Sequence, residues 1–380
     1  MQKEAMPILS KNLLAAAILS SLAACSVIST QQDAASLDIQ APSPAQIAAL
    51  LSSEPGDSKV DISLYPEDNI LAASAEMRHF VEENVPTALS PRARLSYLLD
   101  SMMRPSQLGI TYNPGTTLNA SDTFEQGVGN CLSLTSLFIA LAREADLDAY
   151  YNEVTIPPSW DMISDNSMVF YKHINAVVDF GKNGKEVVDL SVGYYEYHYP
   201  QHRVSEQQAA AQHYNNRGAE FLNLGNNDKA QLYFQRALYL DPEAGHIWGN
   251  LGTLLRRQGR AVDAEVAYRH AITVSANDQV AISNLGRLYR EQGRKNKARE
   301  LEKASESFRR KNPFWLYSRA KAEYEKGQFD EALDLVQQAM RLDKKEHRFY
   351  RFASLIYYRQ GKLVRAQQFS DKASKLKLKR

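Results

Sequence analysis

From residue 211 onward, small and apolar positions recur with a period of 34 residues. Gly218, Gly252 and Gly286 share one position, continued as Ala320 and Ser354, and Gly225, Gly259, Gly293, Gly327 and Gly361 follow seven residues later. Ala230, Ala264, Ala298, Ala332 and Ala366 come next, then Ala237, Ala271, Ser305, Ala339 and Ala373. The pattern predicts five units over 211–380, each a helix A, a glycine turn and a helix B, stacked as an all-α solenoid. Its chemistry is packing: small residues let neighbouring helices approach, and glycine takes a turn conformation that is sterically costly for other residues.

Ahead of the repeats the apolar period changes from helical to stranded. A helix is predicted over about 67–84, and a second begins at Ser90-Pro91, with Leu95, Leu98, Leu99 and Met102 on one face. Gly127-Val128-Gly129-Asn130-Cys131 runs into Leu132, Leu134, Leu137, Phe138, Ile139, Leu141 and Ala142, which places Cys131 at the head of an apolar helix. Residues 149–156, 168–180 and 186–190 carry the β-branched and aromatic content of strands, and Gly181-Lys182-Asn183-Gly184 suits a hairpin between the last two. Residues 59–204 therefore read as an α+β domain.

The unpaired N–H groups and dipole of a helix N-terminus stabilise a thiolate. Cys131 is followed in the chain by His173 in the second strand and Asp189 in the third. Brought together, these three are the parts of a nucleophilic site in which imidazole takes the thiol proton and the carboxylate fixes the tautomer. The plainer reading is a core cysteine, a surface histidine and a hairpin aspartate. For an oxyanion, the Cys131 N–H is the first donor, and the stretch 123–126 is a candidate for the second. His198 and His202 lie in an aromatic connector without a compact ligand set, so no metal is expected, and no motif implies a cofactor.

Two resemblances attach to these residues. The glycine and alanine register, with Trp248-x-x-Leu251-Gly252 and Asp241-Pro242, resembles the tetratricopeptide repeat (TPR), although repeats two to five lack the closing proline and Glu302 occupies a bulky-apolar position of repeat three. This resemblance implies a concave groove for a peptide or protein partner. It is lined here by Arg256, Arg257, Arg287, Arg290, Tyr317, Lys321 and Arg351, with Asn216, Asn250 and Asn284 at the position used to hold a ligand's backbone. Gly129-x-Cys131 before an apolar helix, His173 in a strand and Asp189 near the end of the next resemble the transglutaminase-like domain, a papain-related cysteine-protease fold with a Cys-His-Asp triad. Ile174-Asn175 and Leu190 stand where family members often carry tryptophan and proline.

The N-terminus adds an address. Lys3 and Lys11 precede an apolar run, residues 13–22, too short to span a bilayer, which ends in Leu22-Ala23-Ala24-Cys25. This resembles a bacterial lipobox, which implies a signal peptide over 1–24, lipidation of Cys25 and, with Ser26 following, an outer-membrane anchor facing the periplasm. Residues 25–58, rich in Ser, Ala, Gln, Pro and Asp, read as a flexible tether.

The formal net charge of +1 hides a division. Residues 211–380 carry 33 basic against 19 acidic side chains, and residues 26–210 carry 10 against 24, so the halves stand at +14 and −14. Nothing in this balance points to nucleic acid. The expected function is acyl chemistry on a peptide bond or side-chain carboxamide, with hydrolysis favoured. The alternatives are an inactive, membrane-tethered TPR adaptor and an amine-using crosslinking transglutaminase.

Overall fold

The computed structural model describes residues 39–51, 65–156, 159–161, 167–169, 172–191, 199–275 and 278–378. The signal peptide, Cys25 and His198 lie outside the described residues. Among those described, no helix is long and apolar enough to cross a membrane.

The chain enters through α1 (Pro44–Leu51), inside the segment expected to be tether. Ile47, Leu50 and Leu51 sit three and four residues apart and so share one helix face, and all are buried with Phe234, Ala237 and Ala271 of the solenoid. Gln235 Nε2 donates to the Leu50 carbonyl at 3.2 Å, and Arg269 donates to that of Gln40. Residues 39–51 are thus a strap along the B helices of the first two repeats, and the tether expectation is corrected there. The apolar triplet outweighs the polar composition around it.

The α+β domain follows. Ser74 caps α2 (Ala75–Asn84), which starts eight residues later than predicted because this serine accepts the Met77 N–H. Ser90 and Pro91 start α3 (Pro91–Met103) as expected. A short parallel pair, β1 (Thr111–Tyr112) and β2 (Val128–Gly129), brackets α4 (Ala120–Gln126). Next comes α5 (Cys131–Glu144), the central helix, capped by Asn130 and buried from Leu132 through Ala142. The chain continues through β3 (Asp148–Thr155), the hairpin strands β4 (Ser159–Asp161) and β5 (Ser167–Val169), then β6 (Lys172–Asp179), β7 (Lys185–Val188) and β8 (Gln201–Arg203). The antiparallel sheet runs β7-β6-β3-β8. Its face packs Tyr151, Ile174, Ala176 and Val178 against Leu137, Phe138 and Leu141 of α5 and Leu98 and Met102 of α3. The hairpin at 181–184 forms as predicted, with Gly181 and Gly184 at φ +61° and +93°.

The solenoid is five antiparallel helix pairs. Ser205 opens α6 (Glu206–Asn223) with a reciprocal capping box to Gln208, and α7 (Asn227–Leu240) completes repeat one. Then come α8 (Gly245–Arg257) with α9 (Ala261–Val274), α10 (Gln279–Glu291) with α11 (Lys295–Lys311), α12 (Pro313–Glu325) with α13 (Phe329–Leu342), and α14 (His347–Arg359) with α15 (Leu363–Leu378). All five turn glycines have positive φ, between 73° and 79°. At the close-approach position a Cβ on Gly218 would lie 2.8 Å from the Phe234 ring, and one on Gly252 2.7 Å from that of Tyr268. Repeat three differs. Glu302 stands where Phe234 and Tyr268 stand, is half exposed, and pairs with Arg290. The core accordingly divides there: one cluster ends at Leu301 and another begins at Leu316.

Candidate functional site

Cys131 is the first residue of α5. Asn130 before it has extended backbone and accepts the Ser133 N–H at 3.0 Å, so the cap is spent two residues beyond the thiol. The amides of the first turn have no acceptor inside a helix, which leaves the Cys131 N–H and the helix dipole directed at charge on the thiol or on a substrate oxygen. The backbone amides of residues 123–126 are taken by the helical bonding of α4, so a second donor from that stretch would have to be a side chain such as that of Gln126.

His173, on β6 opposite Val154, is 4% exposed. Its Nε2 meets Asp189 Oδ2 at 2.5 Å, and the ring lies near enough to the Cys131 thiol for that group to raise its proton affinity. With Nε2 taken by the carboxylate, Nδ1 is the nitrogen left for sulfur. Asp189 lies one residue beyond β7, rather than inside the strand as predicted. The three residues spread over 58 positions of sequence form one contiguous thiol, imidazole and carboxylate relay.

Two polar side chains not singled out from sequence hold the carboxylate, and a third holds one of them. Ser191 bonds Asp189 Oδ1 through its N–H at 3.0 Å and its hydroxyl at 2.7 Å. Asn175, two residues from His173 and hence on the same face of β6, donates to Oδ2 at 3.2 Å. Asn152 on β3 fixes Asn175 at 2.8 Å and is itself bonded to Gln201 of β8. The sequence signals for them are the period-two spacing of His173 and Asn175 and the two-residue spacing of Asp189 and Ser191, which suits an Asx turn.

The electrostatics follow from this packing. Burial alone would pull the His173 imidazole down, but the hydrogen bonds to Asp189 and Cys131 and their negative charge push it up to about 9. Burial works to raise the Asp189 carboxyl, and is overcome by His173 and Ser191, which hold it below the usual carboxylate range. At neutral pH the ring is an imidazolium between two anion-forming groups. Such a relay can present a thiolate as nucleophile and then protonate a leaving group.

The solenoid residues divide. Asn250 donates to Asn215 at 2.8 Å, Asn284 reaches Thr253 at 3.5 Å, and Asn216 accepts from Asn215. The amides of Asn250 and Asn284 tie one A helix to the next and that of Asn216 meets its own neighbour, so each has a partner within the solenoid. Arg256 pairs with Glu291 at 3.1 Å, Arg257 donates to the Leu222 carbonyl, and Arg290 pairs with Glu302. Tyr317 packs among Phe349 and Phe352, with the Lys321 ammonium 5.1 Å from its ring centre. Arg287, Lys321 and Arg351 remain exposed. The A helix that carries Tyr317 and Lys321, α12, also packs against β4 of the α+β domain, and Arg348 stacks over Tyr199 at 5.8 Å. His202 is exposed beside Glu153, and among the described residues no cluster of His, Cys, Asp or Glu could hold a metal ion.

Comparison with known proteins bears on the solenoid. Models of the tetratricopeptide repeat match residues 215–279 and 317–373, and a second such model matches 280–311. The chain therefore carries TPR repeats, a module for protein interaction. Among solved structures it is similar to PilF of Pseudomonas aeruginosa, with 17% identity, 45% of this chain and 78% of that chain covered, and a TM-score of 0.27. It is also similar to MamA (residue 41 to the end) of Desulfovibrio magneticus RS-1, at 16% identity, with 46% and 98% covered and a TM-score of 0.26. A third is YrrB, described as a TPR protein with an unusual peptide-binding site, at 16% identity, 44% and 86% covered and a TM-score of 0.25. No curated protein matches the chain.

Proposed function

We propose that the α+β domain is a cysteine-nucleophile acyl-transfer enzyme of the transglutaminase-like, papain-related type, acting on a peptide bond or side-chain carboxamide of a protein gathered by the repeats. The observation that carries the reading is the buried His173 bonded to Asp189, with the Cys131 thiol near enough to perturb the ring. In the first half-reaction the Cys131 thiolate attacks the carbonyl carbon. The oxyanion meets the Cys131 N–H, and the imidazolium proton passes to the departing amine as the C–N bond breaks. In the second, His173 takes a proton from water, the hydroxide adds to the thioester, and the carboxylic acid leaves as the thiol is restored. Asp189 keeps the ring oriented throughout, held by Ser191 and Asn175. An amine in place of water gives the crosslinking version of the same chemistry.

The exposed basic side chains Arg287, Lys321 and Arg351 suit an acidic partner, and the lipobox-like Leu22-Ala23-Ala24-Cys25 supports attachment to the outer membrane, facing the periplasm. A second reading, an inactive tethered adaptor, draws on the family matches falling on the repeats alone.

The test is the thiol itself. Residues 26–380 are alkylated at Cys131 across pH 5 to 9 beside a His173→Ala variant, with mass spectrometry as readout. Rapid modification well below pH 8 that collapses in the variant is expected. A slow, ordinary thiol profile indifferent to His173 would leave the adaptor, for which Cys131→Ala keeps the cellular role.

A further inference from the structure

We infer that Glu220, on the first helix of the solenoid, is a positioning residue for Cys131. Its effect on the thiol rests on the acyl-transfer reading; the hydrogen-bonded link itself does not. Glu220 Oε1 accepts the backbone N–H of Thr117 at 2.9 Å, while its other oxygen accepts from Arg217 at 2.7 Å, which fixes the plane of the carboxylate. Thr117 is 2% exposed, so without Glu220 its amide would be a buried donor lacking an acceptor.

From Thr117 the link runs to the nucleophile in one step. Thr117 Oγ1 accepts from Asn130 Nδ2 at 2.8 Å, the Asn130 N–H donates to the Thr116 carbonyl at 2.8 Å, and the Leu118 N–H donates to Ser133 Oγ at 2.8 Å. Residues 116–118 are stitched over the cap of α5 from both sides of Cys131. The backbone of Asn130 sets the direction in which the Cys131 side chain leaves the helix, whereas His173 is held independently by the sheet. Release of residues 116–118 therefore changes the sulfur's position relative to the imidazole without moving the imidazole. The helix bearing Glu220 is itself seated by polar contacts: Asp68 bonds His213 at 3.0 Å, the Asp68 N–H donates to Tyr214 at 2.6 Å, and Gln212 donates to Glu153 at 2.9 Å. The first repeat is in this sense part of the thiol domain, which is why repeat one and the nucleophile loop cannot be treated as separate modules.

Glu220→Ala removes the acceptor, and Glu220→Gln keeps an oxygen for the Thr117 amide while losing the charge. Two measurements are made on residues 26–380: amide hydrogen exchange of peptides covering 116–131, and the alkylation profile of Cys131 against pH, with His173→Ala alongside. In Glu220→Ala we expect exchange in 116–131 to quicken about tenfold, and alkylation near pH 6 to slow about tenfold as the profile moves toward that of an ordinary thiol. Glu220→Gln should return both to within about twofold of the native protein, a rescue that general destabilisation does not produce. Unchanged exchange in Glu220→Ala overturns the link. Faster exchange with an unchanged alkylation profile, while His173→Ala still abolishes it, overturns the positioning role and spares the acyl-transfer reading. A native thiol indifferent to His173 overturns both.

Discussion

Replacing Asp189 with asparagine tests the electrostatics of the relay directly, because the side chain keeps its shape and loses its charge. His173 stands at about 9 against an ordinary value of 6.5, although it is almost fully buried and burial alone favours the neutral ring. At about 1.4 kcal/mol per tenfold change in proton affinity, the difference amounts to about 3 kcal/mol of preference for the imidazolium, shared between Asp189 and Cys131. Asp189→Asn should bring the ring to 6.5 or below. Histidine-labelled NMR follows the titration, with His173→Gln assigning the resonance among the eight histidines. The sign for stability is definite. A raised imidazole contributes fully below its unfolded value near 6.5 and ceases to contribute as pH rises through about 9. The lowered Asp189 contributes above its unfolded value near 3.8, and this is lost as pH falls through its folded value. The gap in unfolding free energy between native and Asp189→Asn should thus be widest between about pH 4.5 and 6.5 and narrow on either side. A His173 resonance in the variant that still titrates near 9 would refute the argument that the carboxylate carries the shift.

Two further outcomes concern the scaffold. Glu302→Tyr puts an aromatic ring where repeats one and two have Phe234 and Tyr268, at the cost of an exposed pair with Arg290, and should raise stability by about 1 kcal/mol by chemical denaturation, because ring burial outweighs a surface ion pair. An unchanged or lower midpoint would show that repeat three cannot close over the ring. Leu50→Ala removes a side chain, 5% exposed, that α1 inserts into the core of repeats one and two, and should cost about 2–3 kcal/mol and speed proteolysis of residues 39–51; no change in either would mean that the strap is not part of that core.

The sequence was sufficient wherever the determining interaction is local or periodic. Five glycines at one spacing meant five left-handed turns, Ser90-Pro91 meant a helix start, and glycines before an apolar run meant Cys131 at a helix head, because each depends on residues within one or two turns of chain. The order Cys131, His173, Asp189 named the candidates but carried no distances, and alternation puts His173 with Asn175 on the face of β6 opposite Ile174, Ala176 and Val178. What the sequence left open depends on elements distant in the chain. Asn152 has no neighbours in sequence that announce a role, and holds Asn175 only after β3 and β6 have paired. Asn250 and Asn284 acquire the partners Asn215 and Thr253 only through the stacking of one repeat on the next. Residues 39–51 were polar enough on average to pass for tether, yet three apolar side chains on one face found a groove between B helices more than a hundred residues away. Burial is decided by what the whole chain brings to a surface, and no local window contains that information.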